Sequence, residues 1–171
     1  YSELDAIIVS HAHLDHCGAV PMLYEHGYEG PLYMTTPTLD LAVLLWLDFI
    51  DVMQKSGINP IFTSRGVKEA VKRCITLEYN EVSDVAPDVR LTFANAGHIL
   101  GSALIHLHIG EGMHNILYAC DQKFGRTTLL EPAQVNFQRV ETLITEATYG
   151  GNEDIMPPRQ EAEKQLLDII N

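Results

Sequence analysis

Cysteine is scarce in this sequence. Only three of the 171 residues are cysteines, and Cys17, Cys74 and Cys120 are scattered without any C-x-x-C pair. A small disulfide-stapled domain needs a denser, paired set of cysteines, so that class is excluded. Unpaired thiols are typical of a reducing compartment, and we therefore expect a cytoplasmic protein.

Long apolar runs are also missing. The longest candidate, residues 39–50, is interrupted by Asp40 and Asp48 and is too short to span a bilayer. The sequence predicts neither a signal peptide nor a spanning helix, and we expect no membrane partner.

Basic residues are few: 11 lysines and arginines stand against 23 acidic residues, which gives a formal charge of −12. Binding to a phosphate backbone needs clustered lysine and arginine, so this chain alone is not expected to grip nucleic acid. The sequence starts at Tyr1 rather than Met and stops at Asn171 within a predicted helix over 159–170. We interpret it as one domain's worth of a longer protein.

Histidine and aspartate are concentrated in one short stretch, where His11, His13, Asp15 and His16 fall within six positions. The apolar run over residues 6–9 predicts a buried strand, so these side chains follow a strand end. Imidazole nitrogen and carboxylate oxygen are ligands that suit zinc. One zinc ion would leave a ligand idle, whereas two ions use all four. A polar surface loop is the alternative, but four potential ligands in six residues favour a metal site.

Two further residues have the same context. His98 lies in a loop between Gly97 and Gly101, just after a predicted strand, and Asp121 ends the apolar run over 117–120. The two glycines allow the backbone to turn sharply and to approach a site closely. Together His98 and Asp121 add a third imidazole for one metal ion and a carboxylate able to bridge two.

The pattern of strands and helices predicts an α/β fold. Strands with intervening helices come first, and from residue 75 onwards an antiparallel run of strands follows, with a hairpin turn at 110–112. This order predicts mixed sheets with helices outside, an α/β sandwich.

These motifs, His-x-His-x-Asp-His, then Ala-Gly-His-x-Leu-Gly-Ser, then an aspartate after an apolar strand, resemble the metallo-β-lactamase superfamily. Glu146, in Glu-Ala-Thr-Tyr-Gly, resembles the first motif of its β-CASP branch, which processes nucleic acids. Residues 28–33 and 47–52 are similar to archaeal homologues of the cleavage and polyadenylation specificity factor (CPSF) nuclease.

The resemblance implies a partial metallo-β-lactamase αββα sandwich with the start of an inserted β-CASP domain. Residues 1–151 would form the catalytic core without its first strands, and residues 152–171 would begin the β-CASP domain. The archaeal family members carry KH domains and C-terminal elements that form dimers. The resemblance therefore implies an RNA substrate gripped mainly outside this chain, and a homodimer of the full-length protein.

The resemblance also implies two zinc ions and a division of the ligands between them. The first zinc would take three imidazoles and the second a carboxylate and an imidazole, with one carboxylate bridging: His11, His13 and His98 for the first, Asp15 and His16 for the second, and Asp121 between them. Asp15 and Glu146 are the predicted catalytic residues. Asp15 would accept the proton of the attacking water, and Glu146 would orient a general-acid histidine from beyond Asn171.

Other candidate ligands receive structural interpretations. His106 and His108 share one face of a predicted strand, but no third ligand is visible beside them. Cys120 stands where the family usually has glycine before the bridging aspartate. We expect it to be a small buried residue and leave it out of the ligand set.

The function implied is that of a zinc-dependent ribonuclease, which hydrolyses phosphodiesters by a metal-bridging hydroxide. It would act as an endonuclease and as a 5′–3′ exonuclease, in RNA 3′-end processing or transcription termination. Two alternatives stay open. One is a small-molecule metallo-hydrolase of glyoxalase or lactamase type, which would not need Glu146. The other is a non-catalytic scaffold of an RNA-processing complex, although such relatives typically lose metal ligands.

Overall fold

The computed structural model describes residues 1, 3–151, 153, 155 and 157–170. The helices within this part of the chain are α1 (Leu14–Cys17), α2 (Val20–Glu25), α3 (Thr36–Lys55), α4 (Ser64–Lys72) and α5 (Arg159–Ile170). The strands are β1 (Ile7–Ile8), β2 (Leu32–Met34), β3 (Cys74–Thr76), β4 (Val82–Ala86), β5 (Val89–Asn95), β6 (Ala103–Ile109), β7 (His114–Ala119) and β8 (Thr142–Thr145). None of these helices combines the length and the apolar character that crossing a bilayer requires.

The strands form two sheets. The first is parallel and has the order β1-β2-β3, and the second has the order β4-β5-β6-β7-β8. The antiparallel run starts later than predicted, because β3, expected to open it, pairs parallel with β2 in the first sheet. Strands β4 to β7 pair antiparallel in succession, but β8 pairs parallel to β7. The long connection over 120–141 makes this possible, because parallel neighbours cannot be joined by a tight hairpin.

Alternation along the strands sorts side chains into three apolar layers. In β2, Tyr33 faces the second sheet while its two neighbours face the helices. In β6, Ile105 faces the first sheet while Leu104 lies on the outer side with Phe137. This period of two is what a strand buried on both faces requires. The outcome is a mixed α/β fold with sheets flanked by helices, which confirms the predicted fold class.

Helix α3 anchors the helical layer against the site. Thr35 caps its first turn by accepting a hydrogen bond from the backbone N–H of Thr38, and Pro37 occupies the first turn, where its missing N–H costs nothing. The buried face repeats every four residues: Thr38, Ala42, Trp46 and Ile50. The Trp46 indole N–H donates to the Cys17 carbonyl at 3.0 Å, which fixes α3 against α1.

Strand direction brings several chain segments to one edge. Because β5 and β7 both pair antiparallel with β6, and β8 runs parallel to β7, the carboxyl ends of β5, β7 and β8 lie together. The first sheet is joined to this edge by a hydrogen bond of 2.8 Å from the Ala103 N–H to the Ser10 carbonyl, just past β1. Candidate site residues follow each of these strand ends: His98 after β5, Asp121 after β7 and Glu146 after β8. The predicted division at residues 151 and 152 stays a prediction, and residues 152, 154 and 156 lie outside the described part of the chain.

Candidate metal centre

The first two histidines lie directly beyond β1, on backbone held by both sheets. The Val9 N–H donates to the Tyr33 carbonyl of β2 at 2.9 Å, and Ser10 is bonded to β6 as described. His11 is completely buried, and its Nδ1 lies 3.1 Å from the Ser10 hydroxyl. His13 precedes α1 in an extended conformation. Both rings are therefore placed by strand pairing rather than by a free loop.

His98 is held by a loop that depends on two glycines. Gly97 and Gly101 adopt φ values of +68° and +79°, which favour glycine. A Cβ at Gly97 would lie 2.6 Å from the Lys123 carbonyl oxygen, so a side chain there would collide with backbone. The buried Ser102 hydroxyl accepts hydrogen bonds from the N–H groups of His98 and Ile99, each at 3.2 Å. The sharp turn and close approach that the sequence predicted are both present.

A buried threonine pair ties this loop to helix α3. The hydroxyls of Thr35 and Thr38 donate to the Gly101 carbonyl at 2.7 and 2.9 Å. Sequence reasoning missed this contact. Its one local signal is the pair of threonines around Pro37, which serves equally well as a simple helix start.

Asp121 and Glu146 occupy corresponding places on neighbouring strands. Asp121 follows the end of β7, and Glu146 follows the end of β8. The Glu146 N–H donates to the Ala119 carbonyl at 3.2 Å, so the parallel pairing continues past the strand end. The Glu146 carboxylate accepts a bond from the Thr148 N–H at 3.3 Å. Its negative charge acts to raise the pKa of His98, against the larger effect of burial.

Four side chains bring one ligand atom each to a common point. His13 Nδ1 lies 3.1 Å from both His11 Nε2 and His98 Nε2. Asp121 Oδ2 lies 3.3 Å from His98 Nε2 and 3.7 Å from His11 Nε2. Four ligands bound to zinc at roughly 2.1 Å in a tetrahedron lie about 3.4 Å apart. The separations and the three-nitrogen, one-oxygen donor set therefore fit a metal ion such as zinc.

The protonation state of the cluster suits metal binding. Burial, more than any other cause, lowers the pKa of His11 to about 4, and the neighbouring His16 and His98 rings act in the same direction. The pKa of His98 is also lowered, again mainly by burial. Both rings are therefore neutral near pH 7, and a neutral imidazole offers the nitrogen lone pair that a metal requires.

A second, more open group lies on the other side of Asp121. His16 Nε2 is 3.7 Å from Asp121 Oδ1 and 3.4 Å from Asp15 Oδ2. Asp15 and His16 belong to the short helix α1, in the single turn that follows His13. The Asp15 side chain is 79% exposed, whereas that of His16 is 21% exposed. The two oxygens of Asp121 thus face different groups, Oδ2 the three histidines and Oδ1 His16.

The six predicted metal ligands therefore meet at one edge of the sheets. Among the described residues, the tight group comprises four of them: His11, His13, His98 and Asp121. Asp15 and His16 lie beside this group, and Glu146 follows the adjacent strand end. Cys120 is buried, as expected, and its sulfur lies 3.9 Å from His11 Nδ1, on the side of the ring opposite the metal-facing nitrogen.

A comparison with known families now decides the membership of this chain. The sequence model described as the metallo-beta-lactamase superfamily domain matches residues 1–148. This chain belongs to the metallo-β-lactamase superfamily. The family resemblance inferred from the sequence motifs is confirmed. Membership of this superfamily suggests a metal-dependent hydrolase, which agrees with the cluster of histidines and aspartate.

Within this metallo-β-lactamase superfamily the chain is similar to archaeal proteins named transcription termination factor FttA. The Pyrococcus horikoshii protein is 56% identical over 169 residues, which are 98% of this chain and 26% of that protein. The Methanothermobacter thermautotrophicus protein is 54% identical, over 98% of this chain and 26% of its own length. The Lokiarchaeum protein is 53% identical, over 99% and 27% respectively. The chain spans about a quarter of the length of these relatives.

Proposed function

We propose that this chain carries the two-zinc catalytic site of a ribonuclease that acts in transcription termination or RNA 3′-end processing. The observation that supports it most strongly is the orientation of Asp121. One carboxylate oxygen faces the three-histidine group, and the other faces His16 at 3.7 Å. A carboxylate with its two oxygens directed at two groups of ligands is suited to bridge two metal ions.

The donor atoms favour zinc for both positions. The first would be held by His11, His13 and His98, the second by Asp15 and His16, and both by Asp121. Neutral imidazole and carboxylate are common zinc ligands, whereas magnesium and calcium prefer oxygen. When bound, zinc supplies a Lewis acid that activates water and stabilises charge on a phosphoryl oxygen.

Two carboxylates of this chain would take part in proton transfer, one as a proton acceptor and the other as a positioning residue. The Asp15 carboxylate is solvent-accessible and adjacent to His16, so it can accept the proton of an attacking water molecule at this edge. Glu146 is a positioning residue in this proposal. It lies one strand away from Asp121, where it can orient a general-acid histidine supplied from beyond residue 171.

RNA is the proposed substrate because the similar archaeal proteins are named transcription termination factors. We propose that the main RNA-gripping surface lies outside these 171 residues, because a net charge of −12 disfavours contact with a phosphate backbone. We propose endonucleolytic cleavage with 5′–3′ exonucleolytic action as a second mode. The setting would be a cytoplasmic homodimer of a longer protein in which residue 152 begins a β-CASP domain.

The test uses the full-length protein with Asp15→Ala. Removing this carboxylate deletes the proposed proton acceptor and a ligand of the second zinc but leaves the RNA-gripping surfaces intact. We expect RNA cleavage to fall by at least about 10²-fold, the lower end of what general acid–base catalysis contributes. RNA affinity in a gel-shift assay on the same preparation should stay nearly unchanged, because the main RNA-gripping surface is proposed to lie outside these residues.

The matched control is Asp48→Ala, which removes an exposed carboxylate from α3, outside the metal cluster. It should cleave RNA like the wild type. Undiminished cleavage by Asp15→Ala would contradict the role of Asp15. A zinc-loaded wild-type protein that binds RNA but cleaves none would favour the scaffold alternative.

A further inference from the structure

The buried side of His11 carries polar contacts that the metal cluster does not use. Its Nε2 faces His13 Nδ1 at 3.1 Å, so this nitrogen points into the cluster. Its Nδ1 lies 3.1 Å from the Ser10 hydroxyl. Ser10 is only 4% exposed and His11 is completely buried. The partner of Nδ1 is therefore protein rather than bulk water.

Cys120 adds a second polar group on this side of the ring. Its sulfur lies 3.9 Å from His11 Nδ1 and 3.7 Å from the Ala103 carbonyl oxygen. Cys120 is 4% exposed. The same stretch of β6 is fixed to Ser10, because the Ala103 N–H donates to the Ser10 carbonyl at 2.8 Å.

Hydrogen-bond chemistry determines which group donates in these contacts around His11 Nδ1. A carbonyl oxygen can only accept, so the Cys120 thiol donates to Ala103. The sulfur lone pairs and the Ser10 hydroxyl oxygen are then both able to accept from His11 Nδ1–H. In the opposite tautomer the hydrogen would sit on Nε2, which faces His13 Nδ1, and the sulfur would face a ring nitrogen with no hydrogen between the two atoms.

We propose that Ser10 and Cys120 are positioning residues that hold His11 in its Nδ1–H tautomer and aim the Nε2 lone pair at the first metal position. The inference rests on the proposed metal site. It gives Cys120 a role although its sulfur lies on the wrong side of the ring to share a metal ion with Nε2. Outer partners of this kind orient a ligating imidazole and raise its basicity.

The test uses full-length protein carrying Ser10→Ala, Ser10→Thr or Cys120→Ala. Zinc affinity is measured by competition with a chelator, and the His11 tautomer by nitrogen NMR of the metal-free protein. Ser10→Ala should weaken the first zinc by about 10–100-fold, the typical cost of losing an outer partner of a metal ligand. It should also give a mixture of His11 tautomers. Ser10→Thr keeps a hydroxyl, so its zinc affinity and its His11 tautomer should both lie close to those of the wild type.

Ser102→Ala is the matched control. Ser102 is a completely buried serine beside the same cluster, but its hydroxyl binds the backbone N–H groups of His98 and Ile99 rather than a ring. This variant should leave the His11 tautomer unchanged. If Ser10→Ala does not fold, Cys120→Ala decides, because it removes the sulfur that faces His11 Nδ1 as an acceptor and should also mix the tautomers.

An Nδ1–H tautomer and wild-type zinc affinity in folded Ser10→Ala would overturn the proposal, as would an unaltered tautomer in Cys120→Ala. The tautomer is measured without metal and without RNA. A wild-type protein that cleaves no RNA would therefore refute the proposed function while leaving this result standing.

Discussion

Two groups of histidines lie in the part of the chain that the structure describes, and one of them brings its ring nitrogens to a common point that could hold a metal ion. His106, His108 and His114 lie on the adjacent strands β6 and β7, but each ring nitrogen in contact faces a different protein group. The partners are the Arg139 carbonyl at 3.2 Å, the Asn115 side-chain oxygen at 2.8 Å and the Thr142 hydroxyl at 2.8 Å.

In the ligand cluster, by contrast, His13 Nδ1 lies 3.1 Å from the Nε2 atoms of both His11 and His98. Neutral nitrogens in that arrangement have too few hydrogens to satisfy every lone pair. Histidines that are merely close together are therefore not sufficient for a metal site. A metal site needs ring nitrogens whose lone pairs converge without enough hydrogen-bond donors, whereas the contacting ring nitrogens of the histidines on β6 and β7 already have protein partners.

The largest expected difference between the two groups concerns zinc affinity. His13→Ala removes the nitrogen that lies 3.1 Å from both of its neighbours. Zinc affinity at the first position should fall by more than the roughly 10–100-fold that loss of an outer partner costs. His106→Ala should leave it unchanged. Metal analysis after dialysis measures both, and equal losses in the two variants would erase the distinction.

The next largest effect should separate the two metal positions. The proposed first position would take His11, His13, His98 and one Asp121 oxygen. The proposed second position would take, among the residues that the structure describes, Asp15, His16 and the other oxygen, and zinc normally takes four ligands. The 171-residue chain should therefore bind its second zinc at least about tenfold more weakly, or about 1.4 kcal/mol. Stepwise removal by a mild chelator tests this. Two zinc ions lost together would show that the second position is complete within this chain.

A smaller effect should appear in stability rather than in metal binding. Asn115 is buried, accepts from His108 Nδ1–H and donates to Glu141 at 2.9 Å. Asn115→Ala leaves polar groups without a partner and should lower the free energy of unfolding by about 1–3 kcal/mol. Thr142→Ala, which removes a solvent-exposed hydrogen bond between the half-buried Thr142 and His114, should cost within about 0.5 kcal/mol. Denaturant unfolding measures both. Reduced zinc binding in Asn115→Ala would mean that the two histidine groups are coupled.

The smallest effect should depend on pH. The hydrogen bond from the Asn115 side chain, followed by that from Arg139, lowers the pKa of Glu141 to about 2. A folded pKa below the ordinary value of 4.5 stabilises the fold above pH 4.5, and this stabilisation is lost as the pH falls from 4.5 towards 2. Wild type should therefore be more stable than Glu141→Gln at pH 7, and the difference should shrink below pH 4.5 in unfolding titrations. The difference should also shrink at pH 7 when Asn115→Ala is present in both proteins. If the stability difference between wild type and Glu141→Gln did not change with pH, it would arise from packing rather than from the charge of Glu141.

Local patterns were sufficient for much of the fold. The alternation in β5 and the hairpin between β6 and β7 were predicted, because neighbouring residues determine them. Strand β4 was not predicted. Its sequence, Val-Ser-Asp-Val-Ala, lacks a clear alternation, and it forms by pairing with β5 through a bulge between Asp84 and Ala86. The parallel placement of β8 was likewise beyond local reasoning, since it depends on the path of residues 120–141.

The candidate ligands were accessible from sequence because each follows a strand end and carries a chemically distinctive side chain. The residues that hold these ligands in place could not be identified from the sequence. The Thr35 hydroxyl bonds the carbonyl of Gly101, 66 positions away, and the Cys120 sulfur approaches His11, 109 positions away. Serine, threonine and cysteine occur in many roles, so only the folded contacts distinguish a residue that holds a ligand from one that merely fills space.

The parallel pairing of β7 and β8 has a consequence for how such a module can diversify. Because Asp121 and Glu146 leave the sheet at the same edge, any polypeptide that continues beyond Glu146 emerges beside the metal cluster. A segment grafted there can roof the site without threading through the sheets or disturbing the three apolar layers. Variation in a segment that follows this exit can therefore change what reaches the ligand cluster without changing the strands that carry the ligands of this chain.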